Sequence, residues 1–272
     1  MKKIIFITTI LPAILFTSCS CSRFFYQPNK TVRNITLEHA IIIKSFIQNE
    51  KQRKIVFTQI IPINRFDNSV TILVVPPNGG NSSILSKLMQ PLINAGFVVY
   101  LFDYEGYGES EGKANNQNVL KDAQLLLNHV ITNKNNDDKL LLWGFSLGGN
   151  LAVKLAVENP SKIDALIIEG AFTSHQDIAI AKAPKGLKWM AKLIQSPYPS
   201  KELIKDLHSP ILIVHSLNDE VCPYYMGETL YENANQPKYF LQLTGEHCCG
   251  LLQETDKYMN SLKLLLNQNN IQ

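Results

Sequence analysis

The string Gly144-Phe145-Ser146-Leu147-Gly148 constrains this chain more than any other feature. Alone, a G-x-S-x-G string is weak: in 272 residues it arises by chance with odds of roughly one in ten. Its flanks are what matter. Residues 140–143 (Leu-Leu-Leu-Trp) are a continuous apolar run that stops at Gly144, as a buried strand would. Leu147-Gly148-Gly149-Asn150 opens a helical pattern that continues to Glu158 and ends before Pro160. A chain that turns from strand to helix through one Ser crowds its own backbone, so Gly is needed on both sides. The turn lifts the Ser146 hydroxyl clear of the sheet and leaves a helix N-terminus beneath it.

The rest of the chain repeats this alternation, which argues for an α/β fold with a mainly parallel central sheet. Strands are expected at 55–63, 70–75, 97–102, 140–143, 165–168, 211–214 and 239–243. Helices are expected at 82–95 (capped by Gly96), 116–133, 147–158, 224–233 and 254–266. The connection 64–69 reads as a hairpin between the first two strands. Residues 172–206 form an insert with three prolines and no strand signal. Within it Lys185, Lys188 and Lys192 share one helical face, and Leu187, Met190 and Ile194 share another. That pattern fits a solvated basic face over a core stripe; the sharper reading is a lid that touches a membrane or an acyl substrate.

Composition excludes several classes. At 45% hydrophobic and 18% charged residues the chain is not disordered, and it shows no repeat period. A formal net charge of +3 is too small for a nucleic-acid binder driven by phosphate neutralisation. Five Cys are too few for a disulfide scaffold and lack zinc-ribbon spacing. No G-x-G-x-x-G follows a strand and no P-loop occurs, so neither a nucleotide cofactor nor a metal is expected. The N-terminus carries Lys2 and Lys3 before an apolar run over 4–16, too short to span a bilayer but suited to export.

Taken together, Pro77-Asn78-Gly79-Gly80-Asn81, the loop 103–112 (DYEGYGESEG), the Ser146 turn, 169–174 (EGAFTS) and His215-Ser216-Leu217-Asn218-Asp219 resemble the alpha/beta-hydrolase superfamily. The likeness is to its membrane-associated alpha/beta-hydrolase-domain and serine-aminopeptidase-like branches, and it covers most of the chain. Phe16-Thr17-Ser18-Cys19 resembles the lipobox of bacterial lipoproteins. That resemblance implies a signal peptide over 1–18, acylation of Cys19, a polar tether over 19–34 and a hydrolase domain over 35–272, with 171–206 as its lid. Non-acidic Ser20 implies an outer-membrane anchor facing the periplasm. A plain signal peptide and an uncleaved anchor are the alternatives.

The hydrolase resemblance also implies roles. A Ser hydroxyl needs a neutral imidazole to take its proton and a carboxylate to fix the tautomer, in the chain order Ser, acid, His. His247, in the loop after the last strand, is then the base for Ser146. Asp219, after the penultimate strand, is the acid, with Glu169 as runner-up. Asp103 is structural. The oxyanion requires backbone N–H donors. Leu147 supplies one; Pro76 and Pro77, where the family has His-Gly, have no N–H, so Asn78 is the second, with Gly79 as fallback. Cys222 falls near Cys248 and Cys249 in such a fold, which suggests a bridge; free thiols are the alternative. The implied activity is hydrolysis of a carboxylic ester, thioester or acyl lipid. A peptidase or amidase of the same fold, or an inactive envelope-binding lipoprotein, are the alternatives.

Overall fold

Short β-branched and Leu-rich runs become strands, and longer amphipathic stretches become helices. The computed structural model describes residues 25–65 and 70–267. The signal, Cys19 and the lipobox lie outside the described residues. Eight strands form one sheet in the order β1-β2-β4-β3-β5-β6-β7-β8. They are β1 (Ala40–Gln48), β2 (Lys54–Pro62), β3 (Val70–Val75), β4 (Val98–Phe102), β5 (Lys139–Phe145), β6 (Ala165–Glu169), β7 (Ile211–Ser216) and β8 (Lys238–Leu243). From β3 to β8 every pairing is parallel, while β2 is antiparallel to β4 and to β1.

The main helices are α1 (Asn116–Asn133), α2 (Leu147–Glu158), α3 (His175–Lys182), α4 (Tyr224–Asn233) and α5 (Thr255–Asn267). Alternation along β5 splits the core into two layers, because successive side chains of a strand point to opposite faces. Leu140 and Leu142 join the layer under α1, α2 and α4; Leu141, Trp143 and Phe145 join the layer under α5 and the 82–94 helical stretch. The sheet is therefore covered on both faces, as parallel sheets require. This is the alpha/beta-hydrolase fold expected from the sequence.

Outside the insert, three local expectations are corrected. The hairpin joins β1 to β2, not β2 to β3: Gln48 faces Lys54, and the Asn49 side chain accepts from the N–H groups of Lys51 and Arg53 to close the turn. β3 is buried along its whole length and takes β4 and β5 as neighbours, so β2 pairs elsewhere. The helix expected over 82–95 is broken into Ser82–Leu85, a 3-10 turn Ser86–Met89 and Gln90–Asn94, with Pro91 entering the last of these. Proline lacks the N–H that a continuous helix would use at that position. Finally, residues 25–34 have almost no regular structure but are not a loose tether. Tyr26 is buried, with its hydroxyl 2.8 Å from Asn116 and 2.7 Å from the Tyr198 hydroxyl, and the Gln27 N–H donates to the Asn78 carbonyl at 3.0 Å.

The insert between β6 and β7 contains α3, the turns Lys185–Leu187 and Ile204–Asp206, and the short helices Lys188–Ala191 and Ser200–Leu203. Its expected core stripe is not buried as such: Leu187 is exposed, Met190 and Ile194 are half-buried, and Ala191 is the residue that packs inward. One turn of helix is too short to present a stripe at i, i+3 and i+7 to the body of the protein.

Candidate active site

Ser146 stands between the last residue of β5 and the first of α2, with φ 52° and ψ −118°. For a residue with a Cβ this left-handed backbone is strained, and it persists only where the surroundings over-determine it. Here they do. A Cβ at Gly144 would overlap Gly148 and Gly149, and one at Gly148 would overlap the carbonyl oxygens of Val75 and Pro76. The Ser146 N–H donates to the Glu169 carbonyl at 2.8 Å, which ties the turn to β6.

Asp219 and His247 come from loops at the ends of β7 and β8 and meet: His247 Nδ1 lies 2.6 Å from Asp219 Oδ2. The other carboxylate oxygen accepts from the N–H groups of Val221 (2.8 Å) and Cys222 (2.7 Å). Burial alone would raise the Asp219 pKa. The hydrogen bond and charge of His247, with those two N–H donors, outweigh it and hold the carboxyl below the usual range. An ionised Asp219 accepting at Nδ1 places the imidazole proton there and leaves Nε2 free to accept one.

The ring of His247 lies over Gly170, where a Cβ would come within 2.7 Å of its Cε1. The Ser146 turn and the His247 ring thus meet at the Glu169-Gly170 step. The thiol of Cys222, three residues after Asp219, is buried, and the Cys248 sulfur lies 3.4 Å from His247 Nε2. Burial raises both thiols, Cys222 to about 12. Both are therefore neutral near pH 7, and neither competes as a thiolate. Cys222, Cys248 and Cys249 are free, so the bridge suggested by the sequence is not formed.

Glu169, the alternative acid, is directed elsewhere. Its carboxylate accepts from the Gly250 N–H at 3.0 Å and the Tyr258 hydroxyl at 2.8 Å, and burial pushes its pKa up to about 7. It fastens the His247 loop to β6 while its carbonyl holds Ser146. His215 was not marked for the site in the sequence. Its Nε2 lies 2.9 Å from the Cys222 carbonyl and 3.6 Å from Asp219 Oδ2, and burial lowers its pKa. A carbonyl only accepts, so His215 donates from Nε2 and anchors the loop that carries Asp219.

Leu147 is buried at the first turn of α2, where backbone N–H groups lack intrahelical partners. The loop carrying Asn78 packs against that turn at Gly148. Its Pro76-Pro77 opening is braced by two hydroxyls: Tyr104 donates to the Pro76 carbonyl (2.9 Å) and Tyr107 to that of Asn78 (2.7 Å). Both tyrosines belong to the 103–112 loop. Asp103 is structural there: Oδ1 accepts from the Ser82 N–H at 2.6 Å, and Oδ2 occupies the space a Cβ on Gly108 would need. An open cleft of about 810 Å³ borders His247, with Glu220, Glu246 and Glu254 on its rim. Among the described residues no group of His, Cys, Asp and Glu could hold a metal ion, and no helix is long and apolar enough to cross a membrane.

Comparison with known proteins places the fold. Residues 68–209, more than half of the chain, match the Hydrolase_4 family (serine aminopeptidase, S33). The chain belongs to this family. The match contains Ser146, Asn78 and Leu147 and ends before Asp219 and His247. Relatives within reach include the alpha/beta hydrolase domain-containing protein WAV2 of Arabidopsis thaliana, 32% identical over 60% of this chain and 58% of that protein. The uncharacterized protein YfhR of Escherichia coli K12 is 31% identical over 66% of this chain and 64% of its own. The chain therefore spans less than two thirds of the length of these curated relatives. Esterase Pf2001 of Pyrococcus furiosus shares the fold with a TM-score of 0.70 at 15% identity, covering 89% of this chain and 98% of its own. Acetyl xylan esterase 1 of a Thermoanaerobacterium species does so with a TM-score of 0.64 at 18% identity, covering 86% of each chain.

Proposed function

We propose that this member of the serine aminopeptidase family is a serine hydrolase that cleaves a carboxylic ester, thioester or acyl lipid. The observation that carries the reading is the 2.6 Å contact of His247 Nδ1 with Asp219 Oδ2, beside a Ser146 held in a strained strand-to-helix turn. Among the described residues no hydrogen bond joins Ser146 Oγ to His247 Nε2; substrate binding brings the two within reach, as such contacts tighten in the Michaelis complex. As Oγ bonds to the carbonyl carbon, Nε2 takes its proton and Asp219 stabilises the imidazolium. The oxyanion accepts from the N–H groups of Leu147 and Asn78. Nε2 then returns the proton to the leaving oxygen or sulfur, releasing an alcohol or thiol and leaving acyl-Ser146. Water repeats the sequence and frees the acid. No step needs a cofactor.

Around this chemistry we place an export signal over 1–18, an acyl anchor on Cys19, an outer-membrane position facing the periplasm and a lid over 171–206. The family's description favours one second reading, a peptidase acting on an amide. Turnover of p-nitrophenyl acyl esters beside aminoacyl p-nitroanilides distinguishes the two. The proposal expects ester turnover that Ser146→Ala abolishes. Anilide turnover alone would transfer the assignment to the peptidase reading, and Ser146-independent turnover would remove both.

A further inference from the structure

Three of the large apolar side chains exposed in the structure fall within one short stretch of the insert: Leu187, Trp189 and Leu193, at 50%, 64% and 63% exposure. Lys188 and Lys192 are exposed between them and Lys185 just before them. Residues 178–201 hold five Lys and no Asp or Glu. A surface helix ordinarily hides its apolar residues; here they are displayed within charge of one sign. An indole with Leu neighbours and Lys flanks is the composition that seats at a membrane–water interface, where the ring sits at headgroup level and ammonium groups meet lipid phosphates.

Two neighbours give this stretch an orientation. The described fold begins at Phe25, whose ring packs 4.6 Å from that of His175, the first residue of α3. The point at which residues 1–24, with their apolar run over 4–16, join the fold is therefore beside the base of the insert. On the other flank Lys182, the last residue of α3, donates to the Glu220 carbonyl, next to Asp219. Val221 and Tyr225 there are also exposed, at 49% and 53%. Insert, chain entry and the loop of Asp219 thus adjoin one another.

We propose that residues 185–193 dock on an anionic lipid surface, with Leu187, Trp189 and Leu193 at the headgroup–acyl boundary and the three lysines on lipid phosphates. The site around Ser146 is then presented to the bilayer. This docking depends neither on activation of Ser146 nor on acylation of Cys19.

The chain has two Trp, and Trp143 is fully buried, so the environment-sensitive emission is that of Trp189; Trp189→Phe identifies it. The full-length protein is reconstituted with phosphatidylcholine vesicles, with or without phosphatidylglycerol, carrying brominated acyl chains. Expected is a blue-shifted Trp189 emission that brominated chains quench in the anionic vesicles and that high salt reverses. Replacing Lys185, Lys188 and Lys192 with Gln should shift the docking equilibrium by up to about a hundredfold toward release, at about 1 kcal/mol per Lys. Emission that remains open to aqueous iodide and blind to brominated chains in anionic vesicles would overturn the proposal. Equal quenching in neutral and anionic vesicles would overturn the charge-selective contact.

Discussion

At the residue scale the site rests on what surrounds each group. Asp219 is worth most as the acceptor that fixes the His247 tautomer. Asp219→Asn keeps the shape but offers Nδ1 a donor, and kcat for ester hydrolysis is expected to fall about 10⁴-fold with the circular dichroism spectrum unchanged. Glu169 leads to a stability prediction of unusual sign. Burial raises its pKa to about 7, above the ordinary carboxyl value, so between those pH values the folded state holds a proton that the unfolded state has lost. Its contribution is full below the unfolded pKa and declines as pH rises to about 7, by about 3 kcal/mol. Glu169→Gln should flatten that part of the urea-unfolding profile; an unchanged profile would reassign the dependence. The sequence names Ser146, Asp219 and His247 through the strand-to-helix string and chain order, and Asn78 and Leu147 through the family resemblance. The hydroxyls of Tyr104 and Tyr107 and the imidazole of His215 were not legible. Their partners are the carbonyls of Pro76, Asn78 and Cys222, two of them more than two dozen residues distant in sequence, and backbone carbonyls leave no mark on composition.

At the element scale, buried parallel strands and long helices announced themselves through period, and failures came where local choices compete. β2 pairs across the five-residue turn at 49–53 with β1, because both edges of the buried β3 are taken by β4 and β5. The 82–95 pattern is amphipathic throughout, yet Pro91 divides it. The insert is fixed to the body at His175, a buried ring among Phe25, Phe172 and Tyr198 whose two nitrogens have no hydrogen-bond partner among the described residues. Burial lowers its pKa to about 3, so below the unfolded value near 6.5 the unfolded chain takes up a proton that the folded chain refuses. Stability is lost as pH falls through that window, by about 3 kcal/mol at pH about 4.5. His175→Phe should retain the ring contacts and recover most of that loss, read as the difference in urea midpoint between neutral and acid pH; no recovery would show that the insert's base is not acid-labile through this ring. The effect runs opposite to that of Glu169, so the single variants are needed to separate them.

At the scale of the whole molecule, a sheet covered on both faces leaves its catalytic loops at one edge: the turns after β3, β5, β6, β7 and β8 all lie at the C-terminal ends of parallel strands. Ligands of open α/β sheets bind at that edge. It explains how the Ser146 turn, Asp219 and His247 reach the same end of the sheet although they are far apart in sequence. The substrate was not legible, because helical period does not fix how the insert between β6 and β7 packs. The central claim is that the fold activates Ser146 as a nucleophile, and the most direct measurement is intact-mass and peptide-level analysis after reaction with a fluorophosphonate. The account predicts one covalent adduct, located on Ser146, absent in Ser146→Ala and strongly slowed in Asp219→Asn. A well-folded protein that gains no adduct with or without added lipid, or that is labelled at another residue, would contradict it.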